Sequence, residues 1–310
     1  MPITLSLSTN PLINRFAEPD DLIDTVAYRL GVGYLQMTNE IISPSWDAPT
    51  ISRLTRQMAS ALKRTGVRVT SGMTGPYARL NHFGHPDKDV RRFYINWFKT
   101  FADITASLGG RAVGGQFAIF TFKDFDDPKR REELTKTAID CWSEVAEHGK
   151  GAGLDFVFWE PMSIGREFGE TIKSCLALQQ RLSSTPMAIP MKMMADIDHG
   201  DLSSSNPDDF DPYAWARAVP KFSPIIHIKQ SLAEKAAHRP FTSAYNAVGR
   251  IQPKPLLESL AAGGAKDNEL CLELSFKERE PNDRQVIPDI AESVAFWAPH
   301  VDTGANDLNI

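Results

Sequence analysis

Cysteine is scarce in this sequence: Cys141, Cys175 and Cys271 are an odd number with no paired spacing. That excludes a disulfide framework, and the three thiols read as buried packing residues of a protein in a reducing compartment, so a cytoplasmic location is expected. Apolar runs of bilayer-spanning length are missing too, which excludes a helical membrane protein. The first ten residues, MPITLSLSTN, contain no basic start, no long apolar stretch and no small-residue cleavage site, so no secretory leader is expected. No dense run of lysine and arginine occurs, and the formal net charge is -5. This balance argues against a nucleic-acid surface but leaves room for one local cation beside an anionic small molecule. The first strand-to-helix turn, STNPLINRFAEPDD, lacks the G-x-G-x-x-G of a dinucleotide site, and LGVG at Leu30 precedes a strand instead of opening a helix.

What the chain does have is regular alternation. Short β-rich runs start at Ile3 (ITLSLS), Tyr34 (YLQMT), Val67 (VRVTS), Arg111 (RAVGGQF), Asp155 (DFVFWE), Ala188 (AIPMKMMAD), Pro224 (PIIHIK) and Leu270 (LCLELS). Each is followed by a segment of helical periodicity: 20–30, 48–64, 87–108, 128–150, 166–182, 212–219, 253–262 and 287–298. Near-continuous apolar strands are buried on both faces, and helices between them make right-handed parallel crossovers. Eight such units predict an α/β fold, a closed (β/α)8 TIM barrel. One barrel accounts for residues 1–300, and 301–310 read as a frayed polar tail. Helix punctuation agrees: Pro19-Asp20-Asp21 opens the first helix and Gly31 stops it.

In such a barrel, reactive groups sit at the carboxyl ends of the strands. The later strands end on Glu160 (FVFWEP), Asp196 and His199 (MKMMADIDHGDL), His227 (IIHIK) and Glu273 (CLELS). Each has an ordinary alternative, as a helix cap, a core imidazole or a surface ion pair. Together they do not, because a carboxylate such as Glu273, flanked on both sides by strand residues, costs several kcal/mol to bury unless a cation or a hydrogen-bond network answers it. Glu160, Asp196, His227 and Glu273 are therefore expected to form one metal site. Three carboxylates and one imidazole suit Mn²⁺, Mg²⁺ or Co²⁺ better than a structural zinc. Asp198 and Asp201 read as loop or supporting groups.

The strand-end order Glu160, Asp-x-x-His at Asp196 to His199, His227 and Glu273 resembles the sugar isomerase and epimerase family with the xylose-isomerase-like barrel. The resemblance spans essentially the whole barrel. It implies a divalent metal holding the oxygens of a small sugar, with Glu160 and Glu273 as both ligands and acid/base pair, and His199 on substrate oxygens. It also implies an arginine after the metal-binding histidine, for which Arg239 is the candidate although its spacing from His227 is longer than the family's. Where relatives acting on free sugars carry a carboxylate, this chain reads EPMSIGRE. Arg166, at the start of a predicted helix, becomes a candidate phosphate contact. The implied activity is inversion of carbon 3 in a small ketose phosphate through an enediolate. The alternatives are aldose–ketose isomerisation of a sugar phosphate or inosose-type dehydration, while phosphodiester cleavage and a binding-only role fit less well. The expected partner is a small ketose phosphate, with no nucleic acid and no membrane, and homo-oligomerisation is left open.

Overall fold

Each apolar run needs hydrogen-bond partners on both edges, and a closed cylinder is the arrangement that gives every strand two. The computed structural model describes residues 3–232, 235–276 and 283–309. Its strands are β1 (Thr4–Ser8), β2 (Tyr34–Thr38), β3 (Arg68–Met73), β4 (Ala112–Gln116), β5 (Phe156–Glu160), β6 (Met191–Asp196), β7 (Ile225–Ile228), a short pair β8 (Gln230–Leu232) and β9 (Lys235–Arg239), and β10 (Glu269–Leu272). Eight of them close into a barrel in the order β1-β10-β7-β6-β5-β4-β3-β2, while β8 and β9 form a separate antiparallel hairpin. Long helices at Ala48–Thr65, Lys88–Ser107 and Pro128–Ala152 fill the crossovers of the first half. Among the described residues, no helix is long and apolar enough to cross a membrane.

Successive side chains on a strand point to opposite faces, and that parity sorts the barrel. One set faces the helices: Trp159 donates its indole N–H to Gln179 Oε1 at 2.8 Å, out in the helix layer as its position in FVFWE predicts. The other set fills the lumen, where Met73, Ala112, Phe158, Met194, Ile225 and Cys271 form an apolar plug. Gly114 makes room for it, since a Cβ there would lie 2.5 Å from the Phe158 ring. One step further toward the carboxyl ends, the inward residues become ionisable. The register sets Asp196 opposite His227 and Gln116 opposite Glu160.

Three expectations need correction. The helix expected over 166–182 begins only at Ile172, where Thr171 and Ser174 form a reciprocal cap. Arg166 instead lies on a 3-10 turn, Gly165–Glu167, followed by Phe168 and Gly169 at positive φ. Arg166 therefore does not sit at the start of the helix that follows β5, and the dipole of that helix supplies no phosphate site at its guanidinium. The hairpin after β7 was not anticipated at all. Residues 301–309 are not frayed: Asp302 bridges to Thr4, Gly33 N–H donates to Thr303 O at 2.7 Å, and Asn309 N–H donates to Thr65 O at 2.9 Å. Gly33 is required at that contact, since a Cβ would sit 2.5 Å from Gly304 O.

At the amino end of the lumen, Glu269 accepts hydrogen bonds from Ser6 Oγ at 2.5 Å and Thr70 Oγ1 at 2.9 Å. Burial pushes its carboxyl pKa up, against the pull of those two bonds. The native state therefore keeps a proton that the unfolded chain has lost above about pH 4.3, and stability falls as pH rises through that window. Glu269→Gln cannot ionise, so its stability relative to the parent should improve from pH 4 to pH 8 in urea titrations; a pH-independent difference would refute the buried-acid reading.

Candidate active site

The carboxyl ends of β5, β6, β7 and β10 lie side by side in the barrel, and β10 runs on to Glu273, whose N–H pairs with Ile228 O. Ligand-capable atoms of Glu160, Asp196, His199 and Glu273 all fall within 4.8 Å of one another. His227 Nδ1 borders the same group, 3.5 Å from Glu160 Oε1 and 3.3 Å from Glu273 Oε2. His199 reaches Asp196 Oδ2 at 3.3 Å and Glu160 Oε1 at 3.6 Å. The structure thus brings together all five strand-end residues, with His199 as close to the carboxylates as His227.

Local structure holds these groups in place. Asp196 Oδ1 accepts the N–H of Asp198 at 2.8 Å. Asp198 in turn accepts from Ser231 Oγ at 3.0 Å and pairs with Arg250, so this acidic residue ties the loop after β6 to the β8–β9 hairpin. Gly200 lets that loop pass close to the backbone of Asp209, where a Cβ would meet the carbonyl oxygen at 1.6 Å.

Gln36, at the centre of β2, orients the imidazole of His227. Its amide nitrogen donates to Ser71 Oγ at 3.1 Å and faces Met194 Sδ at 3.3 Å, which turns Oε1 toward His227 Nε2 at 2.8 Å. His227 then donates from Nε2, and Nδ1 faces Glu160 and Glu273.

Charge accounts for the remaining contacts. Three carboxylates buried together repel one another and have lost water. Lys229, fully buried at the end of β7, answers them: its Nζ contacts Asp196 Oδ2 and lies 3.6 Å from Glu273 Oε2. Burial alone would lower the Lys229 pKa, but Asp196, Glu273 and Asp198 outweigh it and keep the ammonium charged. Burial would raise Glu273, yet His227, His238 and Lys229 hold it well below the usual carboxylate range. Burial likewise opposes protonation of His227, and the surrounding groups, Glu273 foremost, hold its pKa well above the ordinary value. His199 goes the other way, pushed down to about 3 by burial and by Lys229, so its ring is neutral near pH 7.

Whether a metal fits can be read from unpaired atoms. Glu160 Oε1, His227 Nδ1 and Glu273 Oε2 are buried with no hydrogen-bond partner, and they face one another. The same surroundings that raise the His227 pKa draw positive charge to this corner, and a divalent ion bound there would take the place of the Nδ1 proton and satisfy both carboxylate oxygens. The residues present therefore fit a divalent ion.

Above these groups opens a cavity of 210 Å³. It falls short of the roughly 300–1,000 Å³ of sites for drug-sized ligands, so it suits a small metabolite. Glu160, His199 and Glu273 line it, as do His238 and Arg79. Arg166 and Arg239 are not among its lining residues. Arg166 pairs with Glu167 at 3.1 Å and lies over the Phe122 ring, and Arg239 lies over Tyr245. Sequence reading missed Lys229, Gln36 and Arg79. The first two were within reach, because each keeps strand parity with an inward neighbour: Lys229 with His227, and Gln36 with Thr38, which lines the cavity. Arg79 sits in a loop, where no periodicity announces direction.

The chain matches the family described as "Xylose isomerase-like TIM barrel" over residues 25–298. It is 76% identical over 310 residues, all of both chains, to a Brucella abortus (strain 2308) protein named D-erythrulose 1-phosphate 3-epimerase. Among solved structures, a Rhodospirillum rubrum ATCC 11170 protein named as a candidate xylose isomerase superposes with a TM-score of 0.86 at 24% identity, covering 96% of this chain and 99% of its own. D-psicose 3-epimerase from Clostridium cellulolyticum H10, solved with D-tagatose, gives 0.67 at 14% identity, covering 97% and 100%. At these identities the two structures speak for the fold alone.

Replacing Gln36 with leucine should free the His227 ring and weaken Mn²⁺ binding about 10- to 100-fold by isothermal titration. Unchanged affinity in a folded variant would show that Gln36 does not position His227 for metal binding.

Proposed function

The chain belongs to the xylose isomerase-like TIM barrel family, and from that premise we infer that it is an isomerase inverting carbon 3 of a small ketose 1-phosphate. The substrate is D-erythrulose 1-phosphate, exchanged with its L epimer, as the name of the 76%-identical relative indicates. The observation that carries the reading is the pair Glu160 and Glu273. Both line one small cavity, and their strands are separated by β6 and β7, so they approach a bound substrate from different sides.

A proton on carbon 3 of such a ketose is acidic only because the neighbouring carbonyl can accept charge as an enediolate. A divalent ion bound by Glu160, Asp196, His227 and Glu273 would polarise that carbonyl as a Lewis acid, and the oxygen-rich donor set favours Mn²⁺, Mg²⁺ or Co²⁺. The protein's own groups do the proton transfer. One glutamate removes the proton from one face of carbon 3, and the other delivers a proton to the opposite face, inverting the configuration. Lys229 holds Asp196 and the anionic Glu273 in place and limits the negative charge the substrate meets. His199, neutral and at the cavity wall, is suited to hydrogen-bond a substrate hydroxyl. Arg166 acts at one remove from the cavity, and Arg239 is left without a direct substrate role, since neither lines it.

Two bases on two faces make a distinctive prediction for turnover in heavy water. The parent enzyme should place deuterium at carbon 3 of both epimers. Glu160→Gln and Glu273→Gln should each slow inversion by about 10²- to 10⁴-fold, and each should still exchange the proton of one epimer, a different one in each variant. Exchange of the same epimer in both variants, or none in the parent, would rule out the two-base arrangement; NMR reads either result.

A further inference from the structure

A phosphate group on the substrate needs a cation in the cavity that the catalytic groups do not already use. Among the described residues that line the cavity, Arg79 is the only lysine or arginine. It follows β3, and in the closed strand order β3 stands four places from β7, directly across the barrel from His227 and Lys229. A molecule seated on the ligand cluster and reaching across the mouth would end at Arg79.

The side chain is held there by design of the neighbouring loop. Arg79 Nε and Nη2 both donate to Glu167 Oε2, at 2.9 and 2.6 Å, which leaves the Nη1 corner of the guanidinium not committed to Glu167. Glu167 is 2% exposed although it belongs to a surface turn, and its other oxygen, Oε1, lies 3.1 Å from Arg166 Nη2. One buried carboxylate is thus shared by two guanidiniums, and the trio carries a net positive charge. Arg79 itself is 47% exposed, open to the cavity mouth, while Arg166 is tied back to Phe120 O at 3.4 Å and to the Phe122 ring. A planar fork pinned on one edge and open at the other is preorganised for a phosphate oxygen. Neutral donors on the same lining, Ser8, Asn10 and Ser275, can complete the shell.

We propose that Arg79 binds the phosphate of the ketose 1-phosphate, with Glu167 and Arg166 as positioning residues that hold its guanidinium over the cavity. The assignment of a phosphorylated substrate rests on the functional reading above; the anion site itself rests on the Arg79–Glu167–Arg166 geometry.

Two measurements separate these. Titration with inorganic phosphate reads the anion site without turnover: Arg79→Ala should bind at least roughly tenfold more weakly than the parent, in line with loss of a charge-assisted bond. Arg79→Lys keeps a cation for Glu167, and so the fold, but loses the fork; it should also bind phosphate more weakly than the parent. In steady-state kinetics, Arg79→Ala should lower the ratio of kcat/KM for erythrulose 1-phosphate to that for free erythrulose roughly 10- to 100-fold, chiefly through KM. Arg166→Ala should lower the same ratio by less. Equal phosphate binding by parent and both Arg79 variants, or equal losses on both ketoses, would overturn the assignment. Phosphate binding that depends on Arg79 in a parent that does not epimerise the ester would leave the anion site standing and bring down the functional reading instead.

Discussion

Three carboxylates sharing one dry corner of a barrel is the condition to which the rest of this structure answers. Each ion removed from water costs several kcal/mol unless positive charge returns the loss. Lys229 is placed to do so, fully buried and in contact with Asp196 while still near Glu273. The arrangement also explains the hairpin behind β7: Ser231 and Arg250 clamp Asp198, and the N–H of Asp198 fixes one oxygen of Asp196, so the other is turned toward Lys229 and His199. Acidic residues that look alike in MKMMADIDHGDL thus do different work: Asp196 faces the carboxylate cluster, and Asp198 ties the loop to the hairpin.

The lumen is layered in a way that serves this corner. The apolar plug around Phe158 and Met194 excludes water from below, which strengthens every electrostatic interaction above it. Gln36 bridges the two levels, rooted among Ser71 and Met194 and aimed at His227. Chemistry therefore stands on rigid strands, whereas the groups that recognise the rest of a substrate, Arg79 among them, come from loops. Loops can change without disturbing the strands that hold the charges.

Much of this was legible in the amino-acid order, and the exceptions share a cause. Eight apolar runs at regular intervals announce a barrel because burial on both faces leaves a strong, local signal. Glu160, Asp196, His227 and Glu273 stand out because a polar residue at the end of such a run is costly to hide. Lys229 and Gln36 carry the same signal more faintly, since a long amine or amide inside a strand can also be imagined snorkelling to the surface. The late start of the helix at Ile172 depends on Phe168 and Gly169 adopting positive φ, and propensity does not show that. Arg79 meets Glu167 across 88 positions. No local pattern encodes such a contact, and only the closed barrel creates it.

The barrel's last seam lies between β1 and β10, where Ser6 and Glu269 bond across 263 positions, and Asp302 then crosses over to β1. A ribosome delivers those halves far apart in time. Until the final strand emerges, β1 has an open edge, and such edges invite pairing with other chains. A chain cut short before β10 would keep that edge exposed for good, so the integrity of the first strand is tied to residues at the far end of the sequence.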